Sequence, residues 1–279
     1  MRPRWPAFLL ALAAAATGLA QVEVELGPME PRPAGSPVLL RVMTYNLHHG
    51  VDRGGARTLA EMARLIADYR PDLVGLQEVD RRFSARSDFQ DQAAELASST
   101  GMHVSFYPTL AREDGQAGYG LAVLTRLPPS RQEAGLYRQA REPRGYLGVE
   151  VAMAGRPVSF LVTHLGLDAA ERQAQVGELG AVLDRLAGPL ILAGDFNCRP
   201  EEPAAAALAG VLQDALAVSG RGAEGTLLTG DGRAGARIDF LFASPEFRVE
   251  DSLVPPVDYS DHRPIVAWLS FYLAAAPAE

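Results

Sequence analysis

Pro189-Leu190-Ile191-Leu192-Ala193-Gly194-Asp195-Phe196-Asn197 runs through four apolar residues, turns on a glycine and ends in an acid and an amide. A short apolar run bounded by Pro and Gly predicts a strand buried on both faces. Strand side chains alternate, so if the strand persists Asp195 and Asn197 share one face while Phe196 turns to the core. An ionised carboxylate at the end of a buried strand costs several kcal/mol unless it is paired. A metal ion, or a water awaiting activation, would meet that cost.

The same pattern recurs elsewhere in the chain. There are only two asparagines, Asn46 and Asn197, and both close an apolar strand pattern beside other polar residues. Asn also favours turns, which is the plain alternative for Asn197 taken alone. Strands are expected at Val38–Tyr45, Asp72–Leu76, Met102–Tyr107 and Leu121–Thr125. Leu147–Met153 and Val158–Thr163 form a hairpin pattern around Ala154-Gly155-Arg156, and Ile238–Ala243, Phe247–Val254 and Pro264–Leu273 complete a β-rich C-terminal third. Apolar stripes at helical spacing predict helices at Leu59–Tyr69, Phe89–Thr100 and Asp168–Leu186. Strands interleaved with helices and hairpins argue for mixed sheets, two packed face to face with helices outside.

The chain has 279 residues, 48% of them hydrophobic, and a net charge of −8. That length suits one large domain, here residues 38–274, or else two small ones. Every basic residue is Arg. The absence of Lys excludes a Walker-type phosphate loop, a Schiff-base lysine and a lysine general base. An acidic chain is a poor sequence-independent binder of nucleic acid, although a local Arg patch is compatible with an acidic whole. Arg2 and Arg4, an apolar run from Phe8 to Ala16 and the small residues around Gly18-Leu19-Ala20 read as an export signal, residues 1–20. An uncleaved anchor is the alternative, but the uncharged run from Trp5 to Ala20 is shorter than the ~20 residues a membrane span needs. Residues 21–37, rich in Pro, Glu and Gly, read as a linker, so the protein is expected to be secreted or periplasmic. Cys198 is the only cysteine. It predicts a core without disulfides and reads as a small buried residue, with inhibition by thiol reagents as the sharper alternative.

The strand-end groups are Asn46, Glu78, His164, Asp195 with Asn197, Asp239 and Asp261-His262. Four of the five histidines (His48, His49, His164 and His262) lie in these clusters, and only His103 stands apart. Carboxylates and an amide oxygen are hard ligands suited to Mg²⁺, Mn²⁺ or Ca²⁺, whereas Zn²⁺ would want more imidazole or thiolate. Histidine beside Asp is an acid–base pair or a phosphate donor. Together these groups describe metal-assisted hydrolysis of a phosphoester by in-line attack of water. Each has a plainer reading alone: Glu78 as a loop acid, Asp239 as an edge-strand charge, Asp261-His262 as a turn, His164 as a satisfied core histidine.

Seven stretches taken in order resemble the endonuclease/exonuclease/phosphatase superfamily. They are Thr44-Tyr45-Asn46, Leu76-Gln77-Glu78-Val79, Tyr119-Gly120-Leu121-Ala122-Val123-Leu124-Thr125-Arg126, Thr163-His164-Leu165, Gly194-Asp195-Phe196-Asn197, Arg237-Ile238-Asp239-Phe240 and Ser260-Asp261-His262-Arg263-Pro264. The resemblance implies an α/β fold, a four-layer α/β/β/α sandwich. It implies that Glu78 is the principal ligand of one or two divalent ions, helped by Asn46 and Asp261. Asp195 would orient or deprotonate the attacking water and Asn197 would hold a phosphate oxygen. His262 would contact the scissile phosphate with Asp239 fixing its ring, and His164 would be a second phosphate contact or the leaving-group acid. His48 and Arg144 are the expected substrate contacts, Arg144 as a phosphate clamp or else as a plain surface residue. His48 stands where AP endonucleases carry Asp, which weakens a DNA-repair assignment. The segment Tyr45–Gly50 instead resembles exported bacterial members and phosphodiesterase-type domains linked to GPI-anchor processing. The expectation is an exported, divalent-metal-dependent phosphodiesterase acting as a monomer with no protein partner. The alternatives are a secreted nuclease, a phospholipid or inositol-phosphate headgroup phosphoesterase, and an inactive binding module.

Overall fold

Period-two alternation along the first strand shows how the layers arise. Val38, Leu40 and Val42 face one apolar cluster, while Met43 and Tyr45 face another. A strand that is apolar on both faces must be covered on both. The computed structural model describes residues 37–272, apart from 114–116, 139 and 187. The expected signal (1–20) and nearly all of the expected linker (21–37) lie outside the described residues.

In chain order the first elements are β1 (Pro37–Asn46), α1 (Leu59–Tyr69), β2 (Leu73–Arg81), α2 (Gln92–Thr100), β3 (His103–Ala111), β4 (Gly118–Thr125) and β5 (Arg131–Leu136). Then follow β6 (Gly145–Met153), β7 (Arg156–His164), α3 (Ala169–Leu183), β8 (Leu190–Asp195) and α4 (Pro203–Ala209). The chain continues through β9 (Gln213–Asp214), α5 (Ala215–Val218), β10 (Asp239–Ala243), β11 (Arg248–Leu253) and β12 (Ile265–Tyr272). Two six-stranded sheets result, ordered β11-β12-β1-β2-β4-β3 and β5-β6-β7-β8-β10-β9. Among the described residues each holds one parallel pair, β1 with β2 and β7 with β8, beside antiparallel neighbours. Both sheets are therefore mixed, as expected.

Three apolar layers hold the sandwich together. The central one joins the inner faces of the sheets through residues such as Val123, Phe160, Val162 and Ile265. A second packs α1 and α2 on the first sheet, where Leu59, Met62, Ala63, Leu65 and Ile66 are buried. A third packs α3 and α4 on the second sheet around Phe196, Phe240 and Phe242. Gly75 sits where the sheets approach closely, since a Cβ there would meet Val162 Cγ2 at 3.1 Å and Phe160 Cζ at 3.3 Å.

Some boundaries differ from the sequence reading, each for a local reason. α2 begins at Gln92, not Phe89, because Asp88 and Phe89 are left-handed (φ 56° and 54°) and Asp91 caps the helix by accepting from Ala94 N–H. α3 starts after Asp168, whose carboxylate accepts from the N–H groups of Ala170 and Glu171. β2 does not stop at Leu76. It continues to Arg81 through an irregularity between Leu76 and Val79, and Glu78 sits inside it with φ 58°.

Candidate active site

The parallel pairs place their C-terminal ends at one rim. Asn46 ends β1 opposite Gln77 of β2, and His164 ends β7 opposite Asp195 of β8. Asp239 opens β10 in antiparallel register with Asp195. The bulge in β2 re-aims one side chain, a use to which bulges beside functional sites are put. Four residues of the rim have left-handed backbones: His48 (φ 45°), His49 (46°), Glu78 (58°) and Asn197 (49°). Such conformations cost about 1–3 kcal/mol each and persist only where surrounding structure enforces them.

Asn46 links the two sheets. Its Nδ2 donates to Glu78 Oε1 at 3.2 Å and to Asp195 Oδ2 at 3.0 Å, and its Oδ1 accepts from His48 N–H at 3.0 Å. In this arrangement Asn46 is a donor between two carboxylates rather than an oxygen ligand. Asp195 is buried, with Oδ2 3.3 Å from His164 Nε2 and 3.7 Å from His262 Nε2. Its Oδ1 accepts from Asn197 N–H at 2.9 Å. Asn197 Nδ2 reaches Leu165 O at 2.9 Å and lies 3.1 Å from His164 Nε2. Phe196 between them is buried against Phe240 and Phe242, although β8 ends at Asp195 and Asn197 is left-handed, so strand alternation does not run on to Asn197. His262 Nδ1 lies 2.8 Å from Asp239 Oδ2. Seven of the expected residues (Asn46, Glu78, His164, Asp195, Asn197, Asp239 and His262) thus form one connected cluster.

The remaining three lie around it. Arg144 is buried, with Nη1 2.9 Å from His164 Nδ1 and Nη2 donating to Glu142 Oε2 at 3.3 Å. Its Nε is buried without a hydrogen-bond partner, so it is not a plain surface residue. His48 and Asp261 face each other on the rim, Nδ1 to Oδ1, at 3.8 Å.

Burial works to raise the Asp195 carboxyl, but His164, His262 and the Asn197 N–H outweigh it and hold it well below the usual carboxylate range. Burial also opposes ionisation of Glu78, yet His164, the Asn46 hydrogen bond and His262 together lower it. Asp239 is pushed up by burial and by Asp195, against the pull of His262. Burial disfavours the His262 imidazolium, but Asp239 and Asp195 overcome it and push the ring up to about 10. The site at neutral pH therefore sets a cationic imidazole against ionised carboxylates.

The residues fit a hard divalent cation. Asp195, Asp239 and His262 bring candidate atoms within 4.8 Å of one another and Asp239 Oδ1 is buried without a hydrogen-bond partner, but His262 is a cation paired with Asp239, so an ion falls to the carboxylates. Glu78 and the half-exposed Asp261 add carboxylate oxygens at the same rim. Oxygen-rich sets of this kind suit Mg²⁺, Mn²⁺ or Ca²⁺ better than Zn²⁺.

Two supporting residues had no signal in the sequence. Thr226 Oγ1 accepts from the N–H groups of Ile238 and Asp239, both at 3.1 Å, and so pins the start of β10. Gln92 is buried, accepts from Asp80 N–H at 2.8 Å and donates to His49 O at 2.7 Å, tying the β2 bulge to the His48–His49 turn. Both are common polar residues, and only their burial distinguishes them.

This fold and rim define a phosphoesterase sandwich, and the Endonuclease/Exonuclease/phosphatase family profile matches residues 43–262. The chain belongs to that family. It is 28% identical over 169 residues to the "Uncharacterized protein YbhP" of Escherichia coli (strain K12), a match covering 56% of this chain and 66% of that protein, just under two thirds of its length. Among solved structures it resembles an endonuclease/exonuclease/phosphatase from Beutenbergia cavernae (26% identity, TM-score 0.69, 86% of this chain and 73% of that one). It also shares its fold with the mannosyl-6-phosphatase of Bacteroides thetaiotaomicron (21% identity, TM-score 0.66, 83% of this chain and 100% of that one).

Proposed function

We propose that the protein is a divalent-metal-dependent hydrolase of phosphodiesters. The observation that carries this reading is the Asn46 bridge, which joins Glu78 of one sheet to Asp195 of the other inside a cluster of imidazoles and amides. A bound Mg²⁺, Mn²⁺ or Ca²⁺, held by Glu78 and Asp261 with Asn46 close by, would supply Lewis-acid stabilisation of phosphoryl charge.

The chain's own groups do the rest. Asp195 stays ionised and is buried among donors, so it can orient a water and take its proton as oxygen attacks phosphorus. The imidazolium of His262, aimed by Asp239, donates from Nε2 to a phosphoryl oxygen. Asn197 Nδ2 and the Arg144 guanidinium add donors where negative charge gathers. The P–O bond to the leaving alcohol breaks, and His164, 3.3 Å from Asp195, returns the proton to the departing oxygen. The amino-terminal pattern of Arg2 and Arg4 followed by the Phe8–Ala16 run supports export as part of this proposal.

The test is turnover of bis-p-nitrophenyl phosphate with Mg²⁺, Mn²⁺ or Ca²⁺ against an EDTA control. Turnover that needs the ion is the expected result. No turnover of this ester or of any natural phosphodiester with any of the three ions would return the protein to the class of inactive binding modules.

A further inference from the structure

Beside the cluster, on the second sheet's side, lies a cavity of about 260 Å³ that shares only Arg144 with the groups given a role above. That is room for a small ring or a short polyol. Arg144 connects it to the site, because the same guanidinium that lines the cavity touches His164 at 2.9 Å. The other lining groups include Arg141, Glu142, Asp168 and Glu171, with Leu167 on the lip at 74% exposure.

The guanidiniums here already lie against carboxylates. Arg141 lies 3.4 Å from Glu171 and 3.8 Å from Asp168, and Arg144 lies 3.3 Å from Glu142. Three carboxylates against two guanidiniums leave the wall net negative. A further phosphate on the leaving side would meet three carboxylates against two guanidiniums, one of which, Arg144, already faces His164 and the reacting phosphate, which disfavours a polyanion. Hydroxyl groups fit instead. A carboxylate already paired with Arg keeps lone pairs for O–H donors, and a guanidinium keeps N–H groups for hydroxyl oxygens.

We infer that this cavity is the subsite for the alcohol half of the substrate and that it takes an uncharged polyol or sugar. The inference rests on the phosphodiesterase reading and narrows it to small polyol phosphodiesters.

Three substrates separate the two claims: bis-p-nitrophenyl phosphate, glycerophosphoinositol and a single-stranded oligodeoxynucleotide, each with Mn²⁺ and Mg²⁺. The expected order places glycerophosphoinositol above the oligonucleotide in kcat/KM by about tenfold or more, the worth of one hydrogen bond to a charged group. Glu171→Gln should lower the ratio of glycerophosphoinositol to bis-p-nitrophenyl phosphate kcat/KM by about tenfold on the same ground. Asp168→Asn, which keeps an oxygen for capping α3, provides a second variant should Glu171→Gln fold poorly. If bis-p-nitrophenyl phosphate is hydrolysed while the oligonucleotide equals or exceeds the polyol ester, the subsite inference alone is overturned. It is overturned equally if neither variant moves the ratio. If none of the three is hydrolysed, the phosphodiesterase reading fails and takes the subsite with it.

Discussion

Asp239 Oδ2 and His262 Nδ1 lie 2.8 Å apart although they belong to separate segments, one opening β10 and the other preceding β12. Both side chains are almost wholly inaccessible to solvent. The pair therefore fixes which face of the imidazole looks into the site. Asp239→Asn should leave the fold intact and lower kcat by about 10²–10⁴-fold, the range for losing the orientation and charge of an acid–base histidine. Steady-state kinetics beside circular dichroism would check it.

The same pair makes stability depend on pH. Burial works to lower His262, but Asp239 and Asp195 raise it from an ordinary 6.5 to about 10. The folded chain thus holds this proton more tightly than the unfolded chain. The associated stability is fully present below about 6.5 and is lost as pH rises towards about 10. In EDTA, the melting-temperature advantage of the parent over His262→Asn should shrink steadily across that window. A difference independent of pH would contradict the ion pair.

Glu78→Gln and Asp195→Asn should each lower kcat by about 10²-fold or more, because each removes a charge that the transition state uses. Added Mg²⁺ or Mn²⁺ should raise the melting temperature of the parent, since an ion that binds only the folded state stabilises it. In Glu78→Gln that rise should be much smaller. Equal shifts in parent and variant would place the ion elsewhere.

Gly75→Ala tests how finely the two sheets are spaced. The new methyl would sit 3.1 Å from Val162 Cγ2. Gly75 lies three residues before Glu78, and Val162 two before His164. Overpacking of this kind costs about 1–3 kcal/mol. A shift of a few tenths of an ångström between reacting groups should lower kcat by about tenfold. Kinetics set against a core variant of matched melting temperature, such as Val176→Ala on α3, would separate spacing from stability.

Cys198 is buried in the layer beneath α4, and burial pushes its thiol up to about 11. Thiol reagents should therefore neither label the native protein at pH 8 nor inhibit it, and unfolding should expose one reactive thiol. Labelling followed by mass measurement in native and denaturing buffer decides the matter. The small-buried-residue reading of Cys198 is the one its packing supports.

Much of this architecture was legible in the chain because buried strands advertise themselves. Leu190–Ala193 and Val158–Thr163 are apolar enough to be read directly, and the polar groups that interrupt such runs mark the rim. Elements that bury little were not legible. β5, Arg131–Leu136, is an edge strand without a buried residue, and α4 is a short helix whose proline start and alanine run carry no apolar periodicity to read. The bulge at Glu78 was also invisible, since a single extra residue breaks the alternation on which strand reading depends. Arg144 could be weighed but not decided from sequence, because an arginine after proline reads alike on a surface and beneath one. Gln92 and Thr226 act through backbone groups far away in the chain, and no local pattern records such partners.

Asn46 and Glu78 come from one half of the sandwich, His164 and Asp195 from the other. Either half formed alone would carry an incomplete set of reactive groups. On the function proposed above, a nascent or partly folded chain would be inert towards phosphoesters until the halves dock. Hydrolysis would then serve as a readout of completed assembly of the two sheets.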